Sequence, residues 1–472
     1  MIPLSLPEVA QVTGGSVVVP DGVDPDVVVV DGPVVTDSRE SGPGGLFVAR
    51  SGEHADGHDF VAAAVERGAV AALVTRPVGG VPCVVVADTQ DAFAALAREV
   101  VRRSPDLAVV GITGSSGKTS TKDLLGTVLA TAGPTVAPEG SYNSEVGVPL
   151  TVCRVTADTR FLVVEMGSRG IGHVEYLARM APPSVGVVLN VGTAHVGEFG
   201  SRAAIATAKS ELVAALPPDG LAVLNADDPA VRAMAAATTA RVVLVGEAED
   251  ADVRATDVAL DAGGRASFTL TTAQGGRDVR LGLVGSHHVG NALAVVAVAV
   301  ELGMSLESVC AALESARPVS RWRMEVLERA DGVTVVNDAY NANPDSMSAA
   351  LTALERMGEG RRTWAVLGTM LELGEESDAL HAEVGVEVVT RGVDELVVVG
   401  AAAAALAAGA REEATASGAG STRVREVPDA DTAAALLDAE LAGGDVVLFK
   451  SSRDAGLRLL GDRVARRGEE LT

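Results

Sequence analysis

At 472 residues the chain is too long for one ordinary core, and two to four domains are expected. A formal net charge of −25 argues against a nucleic-acid or membrane-surface partner, and any anionic substrate then needs a locally positive or Mg2+-bridged pocket. Hydrophobic residues make up 47% and aromatics only 3%, so cores must be built from Val, Ala and Leu; 52 glycines suit close helix–sheet packing around buried parallel strands.

The N-terminal MIPLSLPEVA has no basic region followed by an apolar core, so no signal peptide is expected. Residues 1–105 hold short Val-rich segments, two Gly/Pro turns (SGPGG and PVGG) and an Ala-rich helical stretch over 60–67. They predict a small α/β domain. His54 and His58 have the i,i+4 spacing of a metal pair, but Asp56 and Gly57 between them favour a loop, which argues against zinc. A basic, proline-bearing stretch, Arg102-Arg103-Ser104-Pro105, reads as a hinge.

From 106 to 316 the pattern is strand–loop–helix. Expected strands are 107–113, 161–167, 185–192, 221–225 and 241–246, with Ala-rich helical segments between several of them. Such alternation predicts a doubly wound, mostly parallel sheet. Residues 251–284 alternate polar and apolar, as in a small antiparallel patch. A second break falls at Arg317-Pro318. Residues 317–472 repeat the α/β character, with strands at DGVTVVNDAY, 364–368, 395–400 and 445–450, and read as a Rossmann-like C-terminal domain. Within 401–420 the Ala-rich half suits a helix and the Gly/Ser-rich end a surface loop. Apolar runs near 292–300 and 400–408 are too short to span a bilayer. Cys83, Cys153 and Cys310 are too dispersed for a disulfide framework or a metal site. A reducing, cytoplasmic setting without membrane insertion is expected.

The strongest local signal is Gly111-Ile112-Thr113-Gly114-Ser115-Ser116-Gly117-Lys118-Thr119-Ser120, after an apolar strand and before a helical segment at 121–133. A Gly-rich turn lets successive backbone N–H groups point at phosphate oxygens, and the helix start adds unpaired donors. Lys118 can reach the β/γ-phosphates and the Thr119 hydroxyl can ligate Mg2+. The general phosphate-loop pattern wants Gly where Ile112 stands; Gly111 is one place early. The plain alternative is a glycine-rich turn with an exposed lysine. Such a loop gives ATP binding but no reaction, leaving kinase, ATPase and ligase open.

Glu165 closes one expected strand and His195 follows another. In a doubly wound sheet the carboxyl ends of strands line one crevice, so both are placed to face the phosphates as direct or water-mediated Mg2+ ligands. Each also has a duller reading, as a solvated strand end and a hydrogen-bonded loop histidine. Lys209, on an expected helix in AKSEL, reads by default as a solvated lysine.

Together, GITGSSGKTS, EMG with Glu165, NVGTAHVGEFG with His195, AKSEL with Lys209, GSHHVGNALA, SRWRME and VVNDAYNANPDSM resemble the Mur ligase family, which also includes folylpolyglutamate synthases. The displaced glycine is itself the family form. The resemblance implies three domains and an ATP-dependent amide-bond-forming ligase. It implies that Gly114, Ser115, Ser116, Gly117, Lys118, Thr119 and Ser120 hold phosphate, that Thr119, Glu165 and His195 hold Mg2+, and that Lys209 carries a carbamate. Lys118, Lys209 and His195 are the implied catalytic set, and Asn291, Arg323 and Asp338 the implied contacts to adenine, phosphate and ribose. His288 replaces a usual Asn, Asn337 a common Asp and Ser451 a common Gly.

Within the family, residues 36–60, SYNSEVGVPLT and LGTMLELGEESDALH followed by FKSSR resemble the branch that adds D-alanyl-D-alanine to a UDP-N-acetylmuramoyl tripeptide. The first block is partly shared with the branch adding the third residue, whose Asp-Tyr-Ala-His and Asp-Asn-Pro-Arg strings are absent. Ser38, Arg39, Asn143, Glu145, Asn341 and Asn343 are the implied substrate contacts, and a monomer is expected. The reaction implied runs through an acyl phosphate, with the C-terminal domain closing on the central one. Rival readings are another Mur-type ligase (third-residue or folylpolyglutamate), a P-loop phosphotransferase or ATPase, and a nucleotide-sensing protein. The dispersed cysteines disfavour an amidating relative that carries a zinc cluster.

Overall fold

The computed structural model describes residues 1–52, 55–192, 196–417 and 422–467. Its largest sheet has nine strands, in spatial order Gly275–Val284, Arg265–Thr272, Val253–Leu260, Arg241–Gly246, Leu221–Asn225, Val185–Val188, Ala108–Thr113, Phe161–Glu165 and Thr135–Val136. Pairing is parallel from Val253–Leu260 through Thr135–Val136 and antiparallel in the first three, as their polar–apolar alternation predicts.

The parallel strands are covered on both faces. Val110, Ile112, Phe161 and Val163 pack with helices Lys118–Ala130, His288–Glu301 and Leu306–Ser315. Val109, Leu162 and Val164 pack oppositely, with Val148, Leu177 and Leu212 from helices Gly147–Val152, His173–Met180 and Arg202–Ala214. That period of two along each strand, with both faces apolar, explains why these segments read as unbroken Val/Ile/Leu runs. After Ala108–Thr113 the chain adds strands on one side, then crosses to the other. The strand order therefore reverses at the carboxyl end of Ala108–Thr113, where open α/β sheets bind ligands.

Gly111 lies within this strand rather than in the loop, and a Cβ there would come 2.9 Å from Leu212 Cδ1. Its place one residue early reflects packing against Leu212 and Met166, not phosphate contact. The following helix begins at Lys118, three residues before the expected 121, because Gly117 at φ +79 makes the turn into it.

The N-terminal part holds a five-stranded sheet, Ser16–Val18, Cys83–Val85, Ala69–Val74, Gly45–Val48 and Val34–Val35, antiparallel only at its first pair. The expected hinge at 102–105 is a fastened helix end. Helix Thr89–Arg102 runs into it, both Arg102 and Arg103 bond Glu99, and Arg103 Nη1 reaches Glu8 at 2.9 Å. One apolar core also continues from Leu6 and Phe93 into Val109 and Leu162.

The C-terminal sheet orders Glu325–Glu328, Thr334–Asn337, Val446–Lys450, Thr363–Leu367, Glu395–Val399 and Arg423–Val427, parallel except at the first pair. Helices cover both faces in two apolar clusters. The Ala-rich stretch forms helix Ala404–Ala416; the loop expected after it lies largely outside the described residues. Among the described residues, no helix is long and apolar enough to cross a membrane.

Candidate active site

The turn between Ala108–Thr113 and Lys118–Ala130 is held from the next strand over. Asn190, just past Val185–Val188, accepts from Ser115 N and Ser116 N through its side-chain oxygen, both at 2.9 Å. Ser115 Oγ in turn accepts from Gly192 N at 2.9 Å. Gly117 must be glycine twice over: its φ is +79, and a Cβ would stand 2.8 Å from Asn291 Oδ1. Lys118 Nζ folds back onto the Gly114 carbonyl at 2.6 Å. Burial pulls this ammonium below the ordinary lysine range; Glu165 pulls the other way and Arg323 adds to the lowering.

Glu165 is buried at the end of its strand and fully engaged. Its Oε2 accepts from Thr119 Oγ1 at 2.9 Å, and its Oε1 from Ser141 Oγ at 2.9 Å and Asn143 Nδ2 at 2.7 Å. A carboxylate and a hydroxyl are thus brought together beside the phosphate turn, as strand-end placement predicts.

The C-terminal domain closes the cavity. Arg323 Nη2 donates to Thr119 Oγ1 at 3.1 Å across the two domains, and its guanidinium lies 4.2 Å from the Tyr340 ring centre. Trp322 and Met324, on either side, adopt φ of +60 and +50, the left-handed turn that projects Arg323 inward. Asp338 fastens that turn: its Oδ1 accepts from Met324 N at 3.0 Å and its Oδ2 from Lys450 Nζ. Behind, Asp123 Oδ2 accepts from Ser320 N at 3.1 Å and Ser320 Oγ accepts from Gly140 N at 2.9 Å. Buried Lys122 bonds the Pro138 and Gly140 carbonyls. The linker, the phosphate-turn helix and the loop that carries Ser141 and Asn143 form one hydrogen-bonded unit.

The enclosed cavity measures about 370 Å3. Of the expected residues, Ser115, Ser116, Gly117, Lys118, Thr119, Ser120, Asn143, Glu165, Asn291, Arg323, Asp338, Asn341 and Asn343 line it. Gly114 sits just behind the turn as the acceptor for Lys118. Asn343 also caps helix Pro344–Met357, its side chain accepting from Ser346 N. Lys209 is not solvated, as its default reading had it: it is buried on Arg202–Ala214, and burial, then the nearby Lys118 charge, pushes its ammonium well below the ordinary range. Ser38 and Arg39 lie apart in the N-terminal domain, where exposed Arg39 pairs with Asp37. Glu145 turns from the cavity toward His173, 3.5 Å away. His195 and His54 lie outside the described residues; His58 is buried, with Asp56 on Nδ1 and Thr75 N on Nε2.

Sequence reasoning missed Lys450, Asn190, Ser141, His287 and Asp345, all of which line the cavity. Lys450 was available by the rule that found Glu165, since a charge closes the apolar strand Val446–Lys450. His288 packs against His287 with the rings tilted by 39° and their centres 4.2 Å apart, and burial lowers both imidazoles.

Comparison with known proteins gives one consistent result. Residues 33–105 match the Mur ligase family catalytic domain, 112–299 the Mur ligase middle domain, and 322–453 the Mur ligase glutamate ligase domain. The chain is 48% identical to the UDP-N-acetylmuramoyl-tripeptide–D-alanyl-D-alanine ligase of Mycobacterium tuberculosis over 98% of each chain. It is 38% identical to the protein of that name from Escherichia coli over 78% of this chain and 81% of the other. Among solved structures it resembles MurF from Acinetobacter baumannii (TM-score 0.86, 32% identity, 98% and 99% covered). It also resembles the MurF ligase from Thermotoga maritima in complex with ADP (TM-score 0.78, 30% identity, 92% and 98% covered).

Proposed function

The chain belongs to the Mur ligase family, and from that premise we propose that it joins D-alanyl-D-alanine to the terminal carboxylate of a UDP-N-acetylmuramoyl tripeptide in peptidoglycan precursor synthesis. It is an ATP-dependent ligase. The observation that carries the substrate assignment is 48% identity over 98% of the chain to a ligase of that name, on a chain whose cavity joins a phosphate turn to a closing domain.

The reaction has two chemical steps. The tripeptide carboxylate attacks the γ-phosphorus of ATP, the bond to the bridging oxygen breaks, and ADP leaves an acyl phosphate. The dipeptide amine then attacks the acyl carbon, phosphate departs and the amine proton passes to solvent. The first step brings two anions together and the second releases phosphate, so cationic groups must face the shifting charge. Lys118, once released from the Gly114 carbonyl, and Arg323 are assigned that work, and the N–H groups at the start of helix Lys118–Ala130 cradle the phosphates. Thr119 Oγ1 and Glu165 Oε2 are hard oxygen donors 2.9 Å apart, a pair that fits Mg2+, and His195 would complete the set. A bound Mg2+ would neutralise phosphate charge. Asn291, Arg323 and Asp338 are assigned to the nucleotide. Closure between domains aligns the reactants and keeps water from the acyl phosphate.

A neutral Lys209 is the form able to add CO2, which supports the carbamate implied by the family resemblance. Cys83, Cys153 and Cys310, all free and buried, support a reducing, cytoplasmic setting.

The test is direct. Purified protein is incubated with ATP, Mg2+, UDP-N-acetylmuramoyl tripeptide and D-alanyl-D-alanine, and the pentapeptide product is sought by mass. ADP release that needs neither acceptor nor amine would replace this reading with that of an ATPase.

A further inference from the structure

Three carboxylates line the cavity: Glu165, Asp338 and Asp345. Glu165 is bound by Thr119, Ser141 and Asn143, and Asp338 by Met324 N and Lys450. Asp345 is different. It stands in the first turn of helix Pro344–Met357, exposed on the cavity's open side, and no hydrogen bond or ion pair among the described residues engages it. Its carboxylate does not merely face solvent. A Cβ built on Gly192 would fall 2.1 Å from Asp345 Oδ2 and 3.4 Å from Ser115 Cβ, so the C-terminal domain sets this oxygen against Gly192, whose N–H bonds Ser115 of the phosphate turn.

A bare carboxylate beside a triphosphate cradle is an electrostatic liability unless a cation comes to it. Lys118 and Arg323 are turned toward the phosphate turn and Thr119, and Lys450 spends its donors on Asp338 and the Asn341 carbonyl. None of them pairs with Asp345, and burial disfavours the charged form of His287. The ligation reaction supplies a cation of its own, since the attacking amine arrives as an ammonium below its pKa, about 8. Capturing it needs a charge on the closing domain, next to the turn that holds the transferred phosphoryl group, and Asp345 has that position. A carboxylate in the first turn of a helix also complements the helix dipole, but that role needs no contact with the neighbouring domain.

Resting on the function proposed above, we infer that Asp345 is the receptor for the ammonium group of the amine substrate, holding it beside the phosphate turn until it loses its proton and attacks the acyl carbon. The exposed carboxylate makes D345N a clean variant with little reason to misfold. The wild-type enzyme must first be seen to ligate D-alanyl-D-alanine; if it does not, the function assigned above fails and the Asp345 variant carries no information on it. Given ligation, D345N is expected to raise KM for the dipeptide about tenfold at pH 7, from loss of one charge-assisted contact, with KM for ATP and for the tripeptide within about twofold. D345E should recover part of the loss. The penalty should shrink as pH passes the amine pKa, which a merely structural role would not produce. Hydroxylamine, largely uncharged at pH 7.5, should trap the acyl phosphate equally in both proteins. An unchanged dipeptide KM, or a rise in KM for ATP instead, would overturn the assignment.

Discussion

The two ends of the C-terminal sheet use the same chemistry to opposite purposes. At the amino ends of its parallel strands, Glu395 accepts from Arg362 at 2.5 Å and Arg425 at 2.6 Å, and Arg425 also bonds Glu440. Arg362 lies 4.4 Å from the centre of the buried Trp364 ring, whose Nε1 donates to Asp445 at 3.0 Å. Charge is matched to charge there, and among the described residues Arg425 Nε is the one buried side-chain donor at this end lacking a partner. At the carboxyl ends, Asp338 and Lys450 are matched, but among the described residues Arg323 Nε and the facing His287 Nδ1 are buried without partners and Asp345 has none. A saturated network holds structure; one with unmet donors and acceptors is waiting for a ligand.

That contrast is broken or sharpened by substitutions that should move activity at one end and stability at the other. The largest effect is expected from Lys118→Ala, the group placed to meet phosphate charge across from the carboxyl-end cluster. Turnover should fall about 10²-fold or more with the unfolding midpoint unchanged. Near-normal turnover would remove the phosphate turn from the reaction. Next in size, Glu395→Gln at the saturated end should cost about 2–3 kcal/mol of stability in urea titration, below the about 3–5 kcal/mol for removing one member of a fully buried ion pair, because Arg362 is partly exposed. KM values for all three substrates should stay as they were. A change in KM without lost stability would mean that the amino-end network communicates with the cavity.

The legibility of the sequence follows the same division between local and distant. Central strands such as Phe161–Glu165 and Leu221–Asn225 are buried on both faces, so their apolar runs announce them. Thr135–Val136, Glu325–Glu328 and Arg423–Val427 were not foreseen. Each is a sheet edge, short or studded with charge, and solvated enough to need no apolar pattern. The site divides likewise. Lys118, Thr119 and Glu165 sit in local motifs. Lys450 meets Asp338 across 112 residues, and Ser320 meets Gly140 across 180. No local period carries such pairs; only the fold brings them together.

Lys209 gives the smallest expected shift in stability and the most pointed one, because activity and stability should move in opposite directions. Its ammonium is buried with no hydrogen bond or ion pair among the described residues, and Lys118 adds like-charge repulsion. The folded pKa therefore lies well below the unfolded lysine value near 10.5. Between the folded and unfolded pKa values the unfolded chain binds a proton there that the folded chain does not, so stability from this group rises with pH and its penalty vanishes only above the unfolded pKa. In CO2-free buffer Lys209→Met should remove that penalty and gain about 1 kcal/mol, the lower end of the cost of an unsatisfied buried donor. The gain should be larger at pH 7 than at pH 10, while ligation is lost. Added bicarbonate should then stabilise the wild type alone, since a carbamate would bind only the folded form. Equal stabilisation of both proteins by bicarbonate, or a variant less stable at pH 7, would mean that Lys209 is held by packing rather than kept poised for modification.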